Sequence, residues 1–207
     1  MESALLVKLL LFLFVQAIVP AHSTICYVCE GPNSESCTHK EEQCPDGDRC
    51  MITSEQFVAD NKEYRSILKR CARNLPCDVV IHGHAGSDLY IKSSLKCCKG
   101  DRCNTAMYEM PKNVTKERKG IVCPICREYN TLDGCNATRY TVCWEEKDLC
   151  TKFRGTLQKP DGVQYNISAQ GCSSPLACTY DYSEMASLKV INAIESVCYI
   201  PKGPPPS

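Results

Sequence analysis

The sequence has 207 residues, with 24 Lys and Arg against 24 Asp and Glu. Because these charges balance, no strong field steers the chain towards nucleic acid or an anionic membrane, and neither partner is expected. All 18 cysteines follow residue 23, a density that is typical of secreted, disulfide-stabilised proteins.

The N-terminal segment, residues 1–23, has the layout of a secretory signal peptide. A lysine precedes the apolar run 9–19, and small residues stand three and one positions before a cleavage point at Thr24. The run is shorter than the roughly 20 residues that span a bilayer. The Pro-rich tail, residues 201–207, lacks the apolar stretch of a lipid-anchor signal. We therefore expect a secreted, extracellular protein without a membrane anchor.

Two Cys-x-x-Cys pairs, Cys26 with Cys29 and Cys123 with Cys126, have the spacing of zinc half-sites. Neither is followed by a second such pair or by two histidines at finger spacing, and the expected compartment is oxidising. We therefore expect disulfides, with no metal and no cofactor.

The spacings between successive cysteines repeat along the chain. From Cys26 to Cys97 the gaps are 2, 7, 6, 5, 20, 5 and 19 residues, and from Cys123 to Cys198 they are 2, 8, 7, 6, 21, 5 and 19. Seven consecutive gaps that agree within one residue indicate two copies of one module.

These copies divide the chain into a first domain, residues 24–104 with ten cysteines, and a second, residues 121–200 with eight. Both counts are even, so each domain can close its own bridges. The segment between them, residues 105–120, is rich in Lys, Glu and Asn and is predicted to be a solvated linker.

Within each domain the apolar pattern is typical of strands, as in residues 49–58 of the first. In the second, residues 150–157 and 163–169 flank Lys-Pro-Asp-Gly at 159–162, which predicts a hairpin because Gly adopts the positive φ that the turn needs. We also assign residues 183–196 to a strand, although their composition would suit a helix.

The first domain begins with Cys-Tyr-Val-Cys at 26–29 and ends with Cys-Cys-Lys-Gly-Asp-Arg-Cys-Asn at 97–104. These two stretches resemble the lymphocyte-antigen-6/urokinase-receptor family. The resemblance implies an all-β chain of two disulfide-rich three-finger (snake-toxin-like) domains in tandem. The family's bridge order implies nine pairs: Cys26–Cys50, Cys29–Cys37, Cys44–Cys71, Cys77–Cys97, Cys98–Cys103, Cys123–Cys150, Cys126–Cys135, Cys143–Cys172 and Cys178–Cys198.

Within that family, two tandem domains without the final bridge in the second resemble the γ-type phospholipase A2 inhibitors. Residues 163–172, Val-Gln-Tyr-Asn-Ile-Ser-Ala-Gln-Gly-Cys, are similar to a stretch of those inhibitors. The resemblance covers residues 24–200 and implies a secreted inhibitor that binds a secreted phospholipase A2 and blocks phospholipid hydrolysis. The alternative is an interaction module for a cell-surface receptor or another extracellular protein. The sequence leaves open whether the protein forms a homo-oligomer.

Three Asn-x-Ser/Thr sequons, at Asn113, Asn136 and Asn166, predict N-glycosylation of a secreted chain. No catalytic residue is expected, because the sequence has no Gly-x-Ser-x-Gly elbow and few histidines to act as a base. His82-Gly-His84 is assigned instead to the polar tip of the third finger. The protein is therefore not expected to be an enzyme.

If the protein is not an enzyme, we expect it to act by binding a partner through the surfaces of its fingers. In the first domain the candidates are residues 53–67, with Phe57 and Tyr64, and residues 82–90, since aromatic side chains are favoured interface anchors. For Trp144, beside a knot cysteine, covering the knot and anchoring a partner are equally open. The aromatic candidates of the second domain are Tyr140, Trp144, Phe153 and Tyr165.

Overall fold

A computed structural model of the protein describes residues 23–111 and 120–201. The predicted signal peptide up to residue 22, the linker residues that include Asn113, and the tail from residue 202 lie outside them. The described part is nearly all-β, which confirms the predicted fold class. Its strands are β1 (Ile25–Gly31), β2 (Lys40–Gln43), β3 (Cys50–Ala59), β4 (Lys62–Cys71), β5 (Val79–His84), β6 (Leu89–Cys98), β7 (Val122–Tyr129), β8 (Arg139–Val142), β9 (Leu149–Gln158), β10 (Gln164–Ser173) and β11 (Lys189–Tyr199).

The first domain consists of three antiparallel hairpins, β1–β2, β3–β4 and β5–β6, with β3 also paired along its length to β6. The middle finger turns at Asp60 and Asn61, whose φ values of 52° and 60° are those of a two-residue type I′ turn. After the last bridge the chain lies against β3, where the Glu109 amide donates to Ser54 Oγ at 3.1 Å.

The second domain repeats the first finger as β7–β8 and the middle finger as β9–β10. The predicted hairpin turn is confirmed: the Gly162 amide donates to the Lys159 carbonyl at 2.9 Å, and Gly162 has a φ of 85°. Its third finger departs from the first domain. Two 3₁₀ turns, Pro175–Cys178 and Tyr182–Glu184, precede the single strand β11. The strand prediction for residues 183–196 is therefore correct from Lys189 onwards and wrong before it.

The structure contains nine disulfides, and among the described residues no cysteine is free. All nine lie within one domain or the other and are the pairs that the family resemblance implies. The cysteines nearest each knot are buried, so the bridges form much of the core at the base of the fingers. The bridges are Cys26–Cys50, Cys29–Cys37, Cys44–Cys71, Cys77–Cys97, Cys98–Cys103, Cys123–Cys150, Cys126–Cys135, Cys143–Cys172 and Cys178–Cys198.

One sheet runs through both domains, in the order β11-β9-β10-β5-β6-β3-β4-β1-β2. The two halves meet where β10 pairs antiparallel with β5, with Cys172 opposite His84 and Ser173 opposite Gly83. A single apolar core lies beside this junction and draws on both domains. Its largest members include Phe57, Ile81 and Ile91 from the first, with Leu157, Ile167 and Met185 from the second.

Peptide mapping of the secreted protein without reduction should return these nine bridges, with none joining residues 24–104 to residues 121–200. Each bridge in a small secreted domain contributes about 2–5 kcal/mol, so strong reductant should unfold both domains. A free thiol or a bridge between the domains would contradict this arrangement.

Candidate functional site

The middle finger of the first domain does not present its aromatic side chains to solvent. Phe57 and Tyr64 are only 1% and 2% exposed, because the second domain covers them. The Tyr64 hydroxyl lies 3.2 Å from Asp161 Oδ2, and Lys159 forms an ion pair with Asp60 at 2.9 Å. The prediction that Phe57 and Tyr64 contact an external partner is therefore wrong, since they hold the two domains together.

His82 and His84 are likewise misplaced by the sequence prediction. They lie within β5 and are buried, whereas the tip of the third finger follows at residues 85–88. The His82 carbonyl accepts from the Ser174 amide at 2.9 Å, and its amide donates to Ser174 Oγ at 3.1 Å. These bonds continue the β5–β10 ladder across the domain junction.

A buried side-chain bond reinforces the ladder: His82 Nε2 lies 2.8 Å from Asp148 Oδ1. The other carboxylate oxygen of Asp148 accepts from the Glu145 amide at 3.0 Å. The sequence repeat places Asp48 of the first domain at the corresponding position, two residues before a cysteine, where its carboxylate accepts from the Arg73 amide at 2.9 Å. An aspartate that organises a loop in one repeat therefore joins the two repeats in the other.

Trp144 has a contact that its sequence position did not suggest. Its indole stacks on the His84 ring of the first domain, with centroids 4.2 Å apart and planes at 16°. Lys92 Nζ lies 4.9 Å from the centre of the same indole, and Tyr90 contacts it edge-on. Trp144 is half-buried and serves as an inter-domain contact.

Glu55 is a buried acidic residue that sequence reasoning missed. It is 0% exposed, and its Oε2 accepts from the Ser187 amide of the second domain at 2.6 Å. Burial raises the pKa of this carboxyl to about 7, although the hydrogen bond from Ser187 and the charge of Arg70 act in the opposite direction. Proton uptake by Glu55 is thus linked to the contact between the domains.

Three groups of metal-ligating side chains occur in the described part of the chain. Two consist of knot cysteines that are engaged in disulfides. The third brings together His82, Glu145 and Asp148. Because the buried His82 and Asp148 are hydrogen bonded to each other, this group links the domains in the structure as it stands.

Among the described residues, four of the eight large apolar side chains that are exposed lie on β11 or directly after it. In the first domain β6 has a neighbour on each side, β3 and β5, whereas β11 pairs only with β9 among the described strands. The residues before β11, including the buried Met185 and Leu188, pack into the inter-domain core and form no covering strand. One edge of the second domain's sheet therefore has no covering strand among the described residues, and the two 3₁₀ turns contact it instead.

Two bulges in β11 turn isoleucines outwards. The register with β9 shifts between Val190 and Asn192 and again between Ala193 and Glu195, so Ile191 and Ile194 fall outside the ladder. Gly155 opposite permits the close approach, since a Cβ there would lie 2.2 Å from the Asn192 carbonyl oxygen. The apolar edge, as we call this surface, comprises Ile191, Ile194, Val197 and Ile200, which are 48%, 52%, 47% and 70% exposed.

The remaining predicted residues are dispersed. Tyr140 is exposed, while Phe153 and Tyr165 are partly buried against the core. Asn136 lies in an exposed loop, and Asn166 lies in β10, where its Oδ1 accepts from Thr156 Oγ1 at 2.9 Å. Glycosylation of these two asparagines, as of Asn113 outside the described residues, stays a prediction.

Residues 22–106 and 119–202 each match the u-PAR/Ly-6 domain. The chain belongs to the u-PAR/Ly-6 domain family. Proteins of this family are extracellular binding proteins, and no catalytic family is indicated. Within the described residues, no helix has the length and apolar character to cross a membrane.

Among curated relatives, the chain is 24% identical over 133 residues to a phospholipase A2 inhibitor gamma chain from Elaphe climacophora and to its counterpart from Elaphe quadrivirgata. These matches cover 63% of this chain and 64% of each inhibitor, slightly less than two thirds of the inhibitor's length. A match to lymphocyte antigen 6 complex locus protein G6d of Mus musculus is 27% identical over 92 residues, covering 42% of this chain and 68% of that protein. A crystal structure of mouse TEX101 aligns at 18% identity with a TM-score of 0.36, covering 84% of this chain and 97% of that one.

Replacing Trp144 with alanine should weaken the docking of the two domains. Removal of a stacked, half-buried indole is expected to lower the free energy of unfolding by about 2–3 kcal/mol in denaturant titrations. Tyr140→Ala is the control, because this exposed aromatic lines the same groove between the domains but makes none of the ring contacts described for Trp144, and it should cost less than about 0.5 kcal/mol. Equal effects of the two substitutions would contradict the inter-domain role of Trp144.

The raised pKa of Glu55 predicts a pH-dependent stability. The folded protein holds this proton up to a pH of about 7, whereas the unfolded chain releases it near 4.5, so stability falls as the pH rises between these values. In Glu55→Gln this fall should be absent. The free energy of unfolding of the variant minus that of the native protein should therefore be about 3 kcal/mol higher at pH 8 than below pH 4.5. The exposed substitution Glu146→Gln serves as control, and identical pH profiles for native protein and Glu55→Gln would contradict the assignment.

Proposed function

We propose that this protein is secreted and binds a secreted phospholipase A2, blocking the hydrolysis of phospholipid. The observation that carries the proposal is the apolar edge, an exposed hydrophobic surface on a binding-protein scaffold that is similar in sequence to proteins named phospholipase A2 inhibitors. The signal-peptide layout of residues 1–23 supports secretion.

The apolar edge suits a protein partner for two physical reasons. Its isoleucine and valine side chains remain largely in water, and removing them from it contributes roughly 25 cal/mol for each Å² buried. The outer side of β11 also carries main-chain donors and acceptors that no described strand satisfies, so a partner can add hydrogen bonds along it.

Rigidity favours this surface further. Disulfides hold the base of both domains, and the β5–β10 ladder holds them to each other, so little ordering entropy is lost on association. We expect inhibition by occlusion, in which the bound protein covers the lipid-facing side of the enzyme. A stable complex of this kind buries roughly 1,200–2,000 Å².

A second candidate is a receptor-type interaction module, which the similarity to the lymphocyte antigen 6 protein favours. The same apolar edge would then contact a cell-surface protein. Binding partners captured from secretions separate the two functions, since one predicts phospholipases and the other predicts receptor ectodomains.

The proposal is tested by measuring phospholipid hydrolysis by a panel of secreted phospholipases A2 with stoichiometric amounts of the purified protein. At least one enzyme should be inhibited, and inhibition should persist in excess phospholipid because it depends on direct binding. Ile194→Asp should weaken lipid-free binding by at least about tenfold, since it places a charge at the centre of the edge. Met107→Asp, which changes an exposed apolar residue just after the first domain, should leave binding unchanged.

Failure to bind any enzyme of a complete panel, using folded protein, would overturn the inhibitor proposal and leave the receptor-type module. Equal loss of binding in Ile194→Asp and Met107→Asp would instead show that the apolar edge is not the contact surface.

A further inference from the structure

A cavity of about 350 Å³ lies between the two domains, beside the β5–β10 junction. One wall is the face of β9, β10 and β11. The other is formed by the third finger and Phe57 of the first domain, together with the segment that contains the two 3₁₀ turns. Protein interiors are packed about as densely as organic crystals, so a space of this size is unusual in a chain this small. Its apolar walls include Phe57, Ile91, Phe153, Leu157, Ile167 and Leu188.

The lining favours a hydrocarbon ligand. An engineered apolar cavity of roughly 150 Å³ stays free of water and takes up benzene, and this cavity is more than twice as large. It falls in the range of roughly 300–1,000 Å³ that is typical of small-molecule sites. Phe153 and Ala169 are cross-strand neighbours on β9 and β10 in its wall, so a small side chain lies beside a large ring there.

The charged groups at the mouth of the cavity determine which charge the polar end of such a ligand can carry. Asp181 and Ser183 line the cavity and are exposed, so the space reaches solvent there. Hydrogen bonds from Ser183 hold the pKa of Asp181 below its usual range, and the carboxylate is ionised at neutral pH. Among the described residues no lysine or arginine lines the cavity, and Arg70, whose charge helps to lower the pKa of Asp181, is itself ion-paired with Glu184. A ligand carboxylate would therefore meet the carboxylates of Asp181 and Glu184.

Aromatic rings flank this carboxylate. Tyr180 and Tyr182 both line the cavity and meet edge-to-face with centroids 5.7 Å apart. Tyrosine faces together with a carboxylate attract quaternary ammonium groups by cation–π and Coulomb interactions. Arg70 contacts the hydroxyl of Tyr180 at 3.4 Å and forms an ion pair with Glu184, which fixes this loop against the first domain.

We propose that the inter-domain cavity binds a single-chain choline lipid, with the hydrocarbon chain between the domains and the headgroup at Tyr180, Asp181 and Tyr182. This site is separate from the apolar edge on the open side of β11. The proposal does not depend on the identity of the protein partner.

Calorimetric titration with palmitoyl lysophosphatidylcholine, kept below its micelle-forming concentration, tests the site on the full-length protein. Saturable binding of one lipid per chain is expected. Palmitate, with the same chain and an anionic end, should bind about tenfold more weakly, and Asp181→Asn should reduce that difference. Glycerophosphocholine, which has the headgroup without the chain, should not bind detectably.

Two substitutions fill the cavity and should abolish lipid binding. Ala169→Phe places a ring in the cavity beside Phe153, and Ala193→Phe places one there from the more exposed β11, where the fold tolerates a larger side chain more readily. Ala106→Phe adds the same ring at an exposed position outside the cavity and should leave binding unchanged. Thermal unfolding of each variant verifies that it is folded.

Absence of saturable lipid binding, or unchanged binding in both filled variants, would overturn the proposal. Equal affinity for palmitate and the choline lipid would overturn the assignment of the headgroup site. Lipid-free binding of a phospholipase A2 is measured separately on the filled variants, so loss of the lipid site and loss of the proposed inhibitory function are distinguishable.

Discussion

The backbone pairing between β5 and β10 is the interaction on which the rest of the structure depends. It joins the sheets of two disulfide-bonded domains into one and fixes their register at His82 and Ser174. Once this register is set, Asp148 meets His82 and Trp144 meets His84. A main-chain ladder of this kind is directional, so it determines orientation as well as contact.

The same junction explains why two repeats of one cysteine pattern end with different surfaces. In the first domain β5 is free to pair with β6 and extends to meet β10. In the second domain the corresponding chain turns towards its neighbour and buries Met185 and Leu188 in the shared core. The covering strand is lost, and β11 becomes an open apolar edge. The surface proposed for protein binding and the cavity proposed for lipid are thus two consequences of one departure from the repeat.

The fold was largely predictable from local information. Cysteine spacing revealed the repeat, the resemblance of its first and last motifs supplied the fold class, and Asp-Gly at 161–162 indicated the middle hairpin of the second domain. These features depend on residues close in sequence or on covalent pairs. The strand assigned before Lys189 was wrong because packing against the other domain decides the conformation there.

The candidate site was less predictable because its contacts join residues far apart in sequence. His-Gly-His at 82–84 is polar and suggests a loop. The burial of His82 and His84 is explained only by the ladder with β10 and by the contact of His82 with Asp148, which lies 66 residues away in the sequence. The sequence predicts an exposed anchor at Phe57 because it reveals two domains but not which surface of the first domain the second one covers. Glu55 could not be anticipated at all, since glutamate is rarely fully buried and its hydrogen-bond partner, the Ser187 amide, lies 132 residues away in the sequence.

Hydrogen exchange followed by mass spectrometry is the most direct test of the account. The amides of Ser174 and Ser187 are bonded across the junction, to the His82 carbonyl and to Glu55. We predict that both exchange as slowly as amides of the β9–β10 ladder, because they open only when the two domains separate. Exchange of both amides at the rate of exposed loops, with the knots still protected, would show that the domains are independent and contradict the account.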